Sequence, residues 1–361
     1  MLVKRSPWQG RRVLVTGHTG FKGSWLCLWL NRLGADVTGF ALPPATDPNL
    51  FDQAKVAELV RHVEGDVRDC SRLTAVITEC RPEVVFHLAA QPLVRQSYAE
   101  PVETFAANVM GTVHLLEACR GIEGLAAVVC ITTDKCYENR EWCWPYRESD
   151  PMGGHDPYSA SKGAAEIAIA YYRRSFFAEH EAGIASVRAG NVIGGGDWAT
   201  DRLIPDVVRA VLEGREPEIR NPRAVRPWQH VLEALGGYLK IAERLLSGDR
   251  EVATAFNFGP SEQDTKPVEM VVDRLLELWG RPGWTMPAGA QPHEANLLTL
   301  DCSKARAELG WRPRLRLEQA LAMVVEWHRT VAEGGDARAI SEKQLEEYCL
   351  IEQKMEQSAW V

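Results

Sequence analysis

Apolar and polar positions fall into blocks along the first half of the chain, and the period of the blocks changes in a regular order. Val13-Leu14-Val15 is a short apolar run of strand type. It runs into glycines at Gly17, Gly20 and Gly23, after which Trp25, Leu28 and Trp29 recur at helical spacing. Asp36–Phe40 reads as a second strand, a segment around Leu59–Val63 as a third, and Val84–Ala90 as a fourth. A helix is expected from about Val102 to Arg120, then a buried strand over Ala126–Thr133. Glu138–Pro157 is loop-like, a long helix begins near Tyr158 and runs to about Glu181, and Ile184–Ala189 is the next strand. This alternation predicts an α/β fold, a Rossmann-type doubly wound parallel sheet with right-handed crossovers and ligands at the carboxyl ends of its strands.

The alternation stops at Gly190-Asn191-Val192-Ile193-Gly194-Gly195-Gly196. Beyond it, helices near 202–212, 268–278 and 317–333 are mixed with short extended pieces and many prolines. Residues 1–190 are therefore expected to form a dinucleotide-binding domain, with a return strand near 255–258. Residues 191–361 would form mainly a smaller, mixed α/β substrate-binding lobe. No internal repeat or low-complexity tract interrupts either part.

Composition narrows the class. The 361 residues carry a formal charge of −8 and are 45% hydrophobic and 25% charged, ordinary for a soluble globular protein. The acidic balance argues against a nucleic-acid-binding surface. Residues 1–10 have no apolar core of the signal-peptide kind, and no apolar run approaches the length of a membrane span. The nine cysteines are scattered and never spaced C-x-x-C, which speaks for reduced thiols and against a disulfide framework or a zinc site. A cytoplasmic protein without a metal is the expectation.

Two constellations carry chemistry. Glycines at the turn let the backbone bend sharply and come close to a pyrophosphate, and the helix that follows offers unpaired N–H groups and the positive end of its dipole. The spacing is G-x-x-G-x-x-G, and the second strand ends in Phe40-Ala41-Leu42-Pro43-Pro44, with neither an acid nor an arginine to choose between NAD and NADP. Asp66, after the third strand, either caps the next helix or accepts from an adenine amino group. His87, inside an apolar run, reads as a satisfied core histidine, while the small residues of Leu88-Ala89-Ala90 leave room for a ligand at a strand end. The second constellation is Tyr158-Ser-Ala-Ser-Lys162. At i and i+4 the phenol and the ammonium share a helix face, and a nearby cation favours the phenolate that a general base needs.

Taken together, the glycine pattern, Leu88-Ala89-Ala90, the threonine-rich strand end at Thr132-Thr133 and the Tyr158/Lys162 pair resemble the extended short-chain dehydrogenase/reductase family of nucleotide-sugar enzymes, over nearly the whole chain. Val15–Trp25, Thr132–Tyr137, Arg226–Leu232 and Pro292–Ala295 are similar to the branch whose members take CDP-glucose. The resemblance implies NAD as cofactor, held by Gly17, Thr19, Gly20, Phe21, Lys22, Gly23, Asp66, Val67, Leu88, Ala89, Ala90, Tyr158 and Lys162. It implies transient oxidation at C4 with Tyr158 as base and Thr133 on the same oxygen, then loss of water across C5 and C6 and return of the hydride to C6. Asp134 would be the acid on O6. Lys135 stands where related enzymes carry a glutamate base; it would take the C5 proton, or else stabilise the enolate while Glu138 or Tyr137 does so. Asn191, Arg202, Arg226 and His293 would hold the nucleotide diphosphate, and Trp228 reads as core. The product would be a 4-keto-6-deoxyhexose for surface polysaccharide such as O-antigen, and the enzyme a homodimer or homotetramer. An epimerase would use the same Tyr158 and Lys162 but not the acid and base at 134 and 135, and a catalytically silent NAD-binding protein would need none of them.

Overall fold

The computed structural model describes residues 6–281, 283–287 and 297–358. Six strands follow one another in the first half: β1 Arg12–Thr16, β2 Asp36–Ala41, β3 Arg61–Glu64, β4 Val84–His87, β5 Ala127–Ile131 and β6 Gly183–Ala189. Four short strands lie outside that series: β7 Val192–Ile193, β8 Val225–Pro227, β9 Gln229–His230 and β11 Thr265–Pro267. One more, β10 Ala255–Phe258, returns to the main sheet beside β6. The sheet order is β10-β6-β5-β4-β1-β2-β3 and every pairing in it is parallel. The direction of winding reverses between β1 and β4, which opens a crevice at their carboxyl ends.

Period-two alternation divides the strands between two layers. Val13, Val15, Val84, Phe86, Val129 and Val187 face one core, with the Phe21–Arg32 and Val231–Leu246 helices packed over them. Leu14, Val85, Val128, Cys130 and Ile184 face the other, under the Cys70–Cys80, Gly111–Cys119 and Pro157–Ser175 helices. The Phe21–Arg32 helix is buried from Gly23 to Leu30 because the Ala337–Ser358 helix also leans on it, with Trp29 edge-on to Tyr348 at 5.7 Å.

Several boundaries differ from the expected ones. The third strand is Arg61–Glu64, because Val56–Glu58 closes into a single helical turn before it. The helix expected over 102–120 starts at Pro101 and loosens into a π turn at Ala106–Met110 before continuing to Cys119. The Tyr158 helix is capped by Asp156, whose carboxylate accepts from the Ser159 N–H at 2.9 Å. It ends at Ser175 and not near 181: Phe177 turns into the core, and His180 Nδ1 accepts from the Ala182 N–H at 2.8 Å. Asp69, not Asp66, caps the Cys70–Cys80 helix. His87 is a core histidine, held at 2.7 Å by Thr16 Oγ1 and at 3.1 Å by Thr112 Oγ1. No helix of the described residues is long and apolar enough to cross a membrane, and the nine cysteines are unpaired.

Candidate active site

The glycine turn fits a dinucleotide. Gly17 has φ +73°, and a Cβ there would stand 2.6 Å from the Ala89 nitrogen. A Cβ on Gly23 would meet the Gly17 carbonyl oxygen at 2.2 Å. The turn is thus packed against the end of β4 and against its own helix, leaving no volume for side chains where a pyrophosphate would approach. Gly20 begins the helix without a side-chain cap, so the N–H groups of Phe21, Lys22 and Gly23 head the dipole unscreened. The Thr19 hydroxyl is spent within the protein, donating to the Leu42 carbonyl at 2.8 Å and fastening the turn to the end of β2. Ala89 donates its N–H to Thr16 Oγ1 at 3.2 Å, which holds Leu88-Ala89-Ala90 open above the crevice. Asp66 accepts from the Arg68 N–H and guanidinium at 2.8 Å; although burial pushes its carboxyl up, those contacts hold it below the usual carboxylate range. Val67 is buried against Gly111, and its carbonyl accepts from His114.

Beside this crevice lies a cleft of about 260 Å³. Thr133, Asp134, Lys135 and Tyr158 open onto it, and so do Asn191, Arg202 and Arg226 from the second half of the chain. Three of the four chemical groups come from one turn at the end of β5. Thr133, still extended, caps the single helical turn Asp134–Cys136, accepting from the Lys135 N–H at 3.4 Å and donating to Asp134 Oδ1 at 3.0 Å. Asp134 is 2% exposed, its second oxygen has no partner, and Gly190 lies so close that a Cβ there would be 1.9 Å from that oxygen. Lys135 is half-buried, and its ammonium makes no hydrogen bond or ion pair among the described residues. Glu138 and Tyr137 point elsewhere: Glu138 packs on Gly153, and the Tyr137 hydroxyl donates to Asn257 at 2.7 Å while accepting from Arg188.

Tyr158 and Lys162 share a helix face, yet they do not act on one another as their spacing suggested. Burial pushes the Tyr158 phenol up to about 12, against the pull of the Thr133 hydroxyl and of the Arg202 guanidinium. Burial also lowers the Lys162 ammonium to about 8, and it donates to the Ile131 carbonyl at 3.3 Å. The cation that favours phenolate here is Arg202, steered by a 3.1 Å ion pair with the buried Asp197. Arg226 is 7% exposed on β8 and donates to the Val225 carbonyl at 3.0 Å, while Trp228 is buried with its indole N–H on the Lys266 carbonyl. Asn191 holds a left-handed φ of +42° after Gly190. His293 lies outside the described residues.

The sequence reading missed what supports this turn. Glu166, one helical turn past Lys162, forms a 2.8 Å ion pair with Arg188 of β6, both side chains at most 5% exposed. Glu166 also accepts from the Thr132 and Ser186 hydroxyls. The spacing 158, 162, 166 was a visible signal; its partner on β6 was not.

A glycine-turn dinucleotide crevice beside a buried Tyr, Thr and Asp on a doubly wound sheet defines an NAD-dependent enzyme of the short-chain dehydrogenase/reductase class. The model of the family described as GDP-mannose 4,6 dehydratase matches residues 14–324, and the chain belongs to that family. It is 51% identical over 353 residues to CDP-glucose 4,6-dehydratase of Salmonella typhimurium, an alignment covering 96% of this chain and 98% of that protein. UDP-glucose 4-epimerase of Thermus thermophilus, solved with NAD, superposes with a TM-score of 0.75 at 26% identity, covering 88% of this chain and 99% of that one. The fold is likewise that of dTDP-glucose 4,6-dehydratase from Bacillus anthracis in complex with NAD, with a TM-score of 0.74 at 24% identity over 90% of this chain and 98% of that one.

Proposed function

We propose that this chain converts CDP-D-glucose to CDP-4-dehydro-6-deoxy-D-glucose and water. The observation that carries the reading is the placement of Asp134 and Lys135 on the same cleft as Tyr158 and Thr133. A proton on C5 of glucose is not acidic until C4 is a ketone, so dehydration needs a redox group and an acid–base pair together. An epimerase needs only the first. When bound along the Gly17–Gly23 turn, NAD supplies a reversible acceptor for a hydride. Tyr158 takes the proton of the C4 hydroxyl, with Thr133 hydrogen-bonded to the same oxygen and Arg202 favouring the phenolate. Lys135 removes the C5 proton and Asp134 protonates the departing O6. Arg226 and Arg202 hold the diphosphate, since guanidinium forks suit its oxygens, and Asn191 and His293 complete that end. Residues 1–190 serve the cofactor and 191–361 mainly the sugar nucleotide.

The enzyme works as a homodimer or homotetramer in the cytoplasm, supplying a deoxyhexose for surface polysaccharide. What supports assembly is an apolar face across the helices on either side of Ala106–Met110 and the Tyr158 helix, where Val102 is 76%, Ile167 59% and Met110 46% exposed. Incubation of the protein with CDP-glucose, dTDP-glucose and GDP-mannose in turn tests the reading. A 4-keto-6-deoxy product, one water lighter, from CDP-glucose alone is the expected result. Isomerisation at constant mass would make the chain an epimerase.

A further inference from the structure

Gln229, three residues past Arg226, is a buried polar side chain with no part in the cleft itself. It lies on β9, 3% exposed, behind the residues that line the cleft. Its amide nitrogen donates to the Gly190 carbonyl at 3.2 Å and to the Phe258 carbonyl at 2.8 Å. Its main-chain N–H donates to the Asn191 carbonyl at 3.3 Å. Ala189 and Phe258 are paired across β6 and β10, so this amide ties together the carboxyl ends of two neighbouring strands. Only the nitrogen end of an amide can face two carbonyls, and its oxygen is left buried without a partner among the described residues. A side chain that forgoes an acceptor's partner to make these contacts is holding a strand end in place.

What that strand end meets is the Asp134 carboxyl. A Cβ on Gly190 would stand 1.9 Å from Asp134 Oδ2 and 2.2 Å from its Cγ, so the backbone past β6 forms a wall against the group. On its other oxygen Asp134 accepts from the Thr133 hydroxyl at 3.0 Å. Wall and hydroxyl together set the carboxyl, with Oδ2 buried and unpartnered at the side of the cleft. We infer that Gln229 is a positioning residue for the loss of water: it fixes Gly190, and through Gly190 it fixes where Asp134 meets the departing O6. The inference rests on the dehydratase reading above. In that step the C5 proton goes to Lys135 and the freed electron pair forms the C5–C6 double bond. The C6–O6 bond breaks with its electrons on oxygen, which takes a proton from Asp134 and leaves as water. Oxidation at C4 uses Tyr158 and Thr133 and needs neither Gly190 nor Gln229. Misplacing a reacting group by about 1 Å can cost about a hundredfold in rate, and here that cost falls on the loss of water alone.

Two variants test this, each assayed for bound NAD, melting temperature and turnover. Gln229→Leu removes the donors at similar volume. Gly190→Ala pushes the Asp134 carboxyl aside with the Gln229 bonds still in place, and it decides the matter should Gln229→Leu not fold. With CDP-glucose, kcat should fall by about 10² in both at unchanged KM and NAD content. On rapid mixing, the absorbance of reduced cofactor, which oxidation at C4 creates and hydride return removes, should build up in the variants and not in the wild type. With CDP-6-deoxy-6-fluoroglucose, whose fluoride leaves without a full proton, the loss should shrink to less than about tenfold. Added to Asp134→Asn, Gln229→Leu should cost less than about twofold more, because both act at one group. Equal losses on the two substrates, no build-up of reduced cofactor, multiplied losses in the double variant, or a defect confined to KM or NAD content would each overturn the assignment. A wild type that forms no keto-deoxy product from CDP-glucose would sink the dehydratase reading first, a different failure from an active wild type that both variants leave unchanged.

Discussion

Replacing Arg188 by methionine should be among the most damaging single changes to the stability of this chain, although the residue touches neither cleft nor turn. Arg188 sits on β6 with its guanidinium 2.8 Å from Glu166 Oε2, 2.7 Å from the Tyr137 hydroxyl and 3.2 Å from the Glu148 carbonyl, and 4.9 Å over the Tyr137 ring. Removing it leaves Glu166 buried with only two hydroxyl donors and no ion-pair partner, the charges of Lys162 and Arg173 bearing on it without contact. Burial would then win over those hydroxyls, where at present Arg188 helps hold the Glu166 carboxyl below its ordinary range. Breaking a buried pair from one side costs about 3–5 kcal/mol. Glu166→Gln should cost less, about 1–3 kcal/mol, because the amide oxygen still accepts from Thr132 or Ser186. The double variant should cost less than the sum, since each change then removes the penalty the other created. Thermal melting at saturating NAD reads all three. Arg188→Met should lower the midpoint by roughly 4–7 °C. A midpoint within about 1 °C of wild type, or strict additivity in the double variant, would refute the view that this pair is a mutual neutralisation.

Gly23→Ala places its Cβ 2.2 Å from the Gly17 carbonyl oxygen, so the helix must retreat from the turn, and NAD affinity measured by calorimetry should drop at least about tenfold. Tyr158→Phe removes the proton acceptor but little volume, so NAD should stay bound while turnover falls by about 10²–10⁴. Ile167→Glu puts a charge into the exposed apolar face; light scattering should find the proposed dimer or tetramer for the wild type and a monomer for the variant, and equal masses for the two would count against that face as the interface. Glu233 is buried on the Val231–Leu246 helix, and burial pushes its carboxyl up to about 7, above the value near 4.3 of an unfolded glutamate. The folded state therefore binds the proton more tightly, so this group's stabilisation is full at low pH and is lost as pH rises through about 7. Glu233→Gln lacks that loss; between pH 4 and pH 8 its denaturation midpoint should gain on wild type by the equivalent of up to about 3 kcal/mol, and parallel pH curves would count against the assignment.

What the sequence revealed and what it hid divide along a physical line. The glycine turn, the threonine-rich strand end and Tyr158/Lys162 are each written within a dozen residues, and local spacing dictates their geometry whatever surrounds them. The sheet was legible for the same reason, since each β–α unit carries its own change of period. The direction of a buried charge is not local. Lys162 was expected to lower the Tyr158 phenol, but its ammonium is turned to the Ile131 carbonyl and the bearing cation is Arg202, forty-four residues on in the chain. Nor could spacing show that Gly190 would press against Asp134, or that Lys22, inside a cofactor motif, would emerge in the sugar cleft. The Ala337–Ser358 helix escaped because its sequence is largely polar, and what fixes it is a few residues such as Tyr348, which donates to Glu233 at 3.1 Å.

These hidden contacts share one cause. A parallel sheet brings strand ends from distant stretches to a single edge, and the charges that meet there are chosen by topology. Asp134 from the end of β5, Lys22 from the helix after β1 and Arg202 from beyond β6 become neighbours because their strands finish on the same side of the sheet. In such a fold the motif places the tyrosine and the cofactor, while the loops from other strands set which protons can move. A change of substrate or of reaction within the family then requires new residues at the strand ends and not a new sheet.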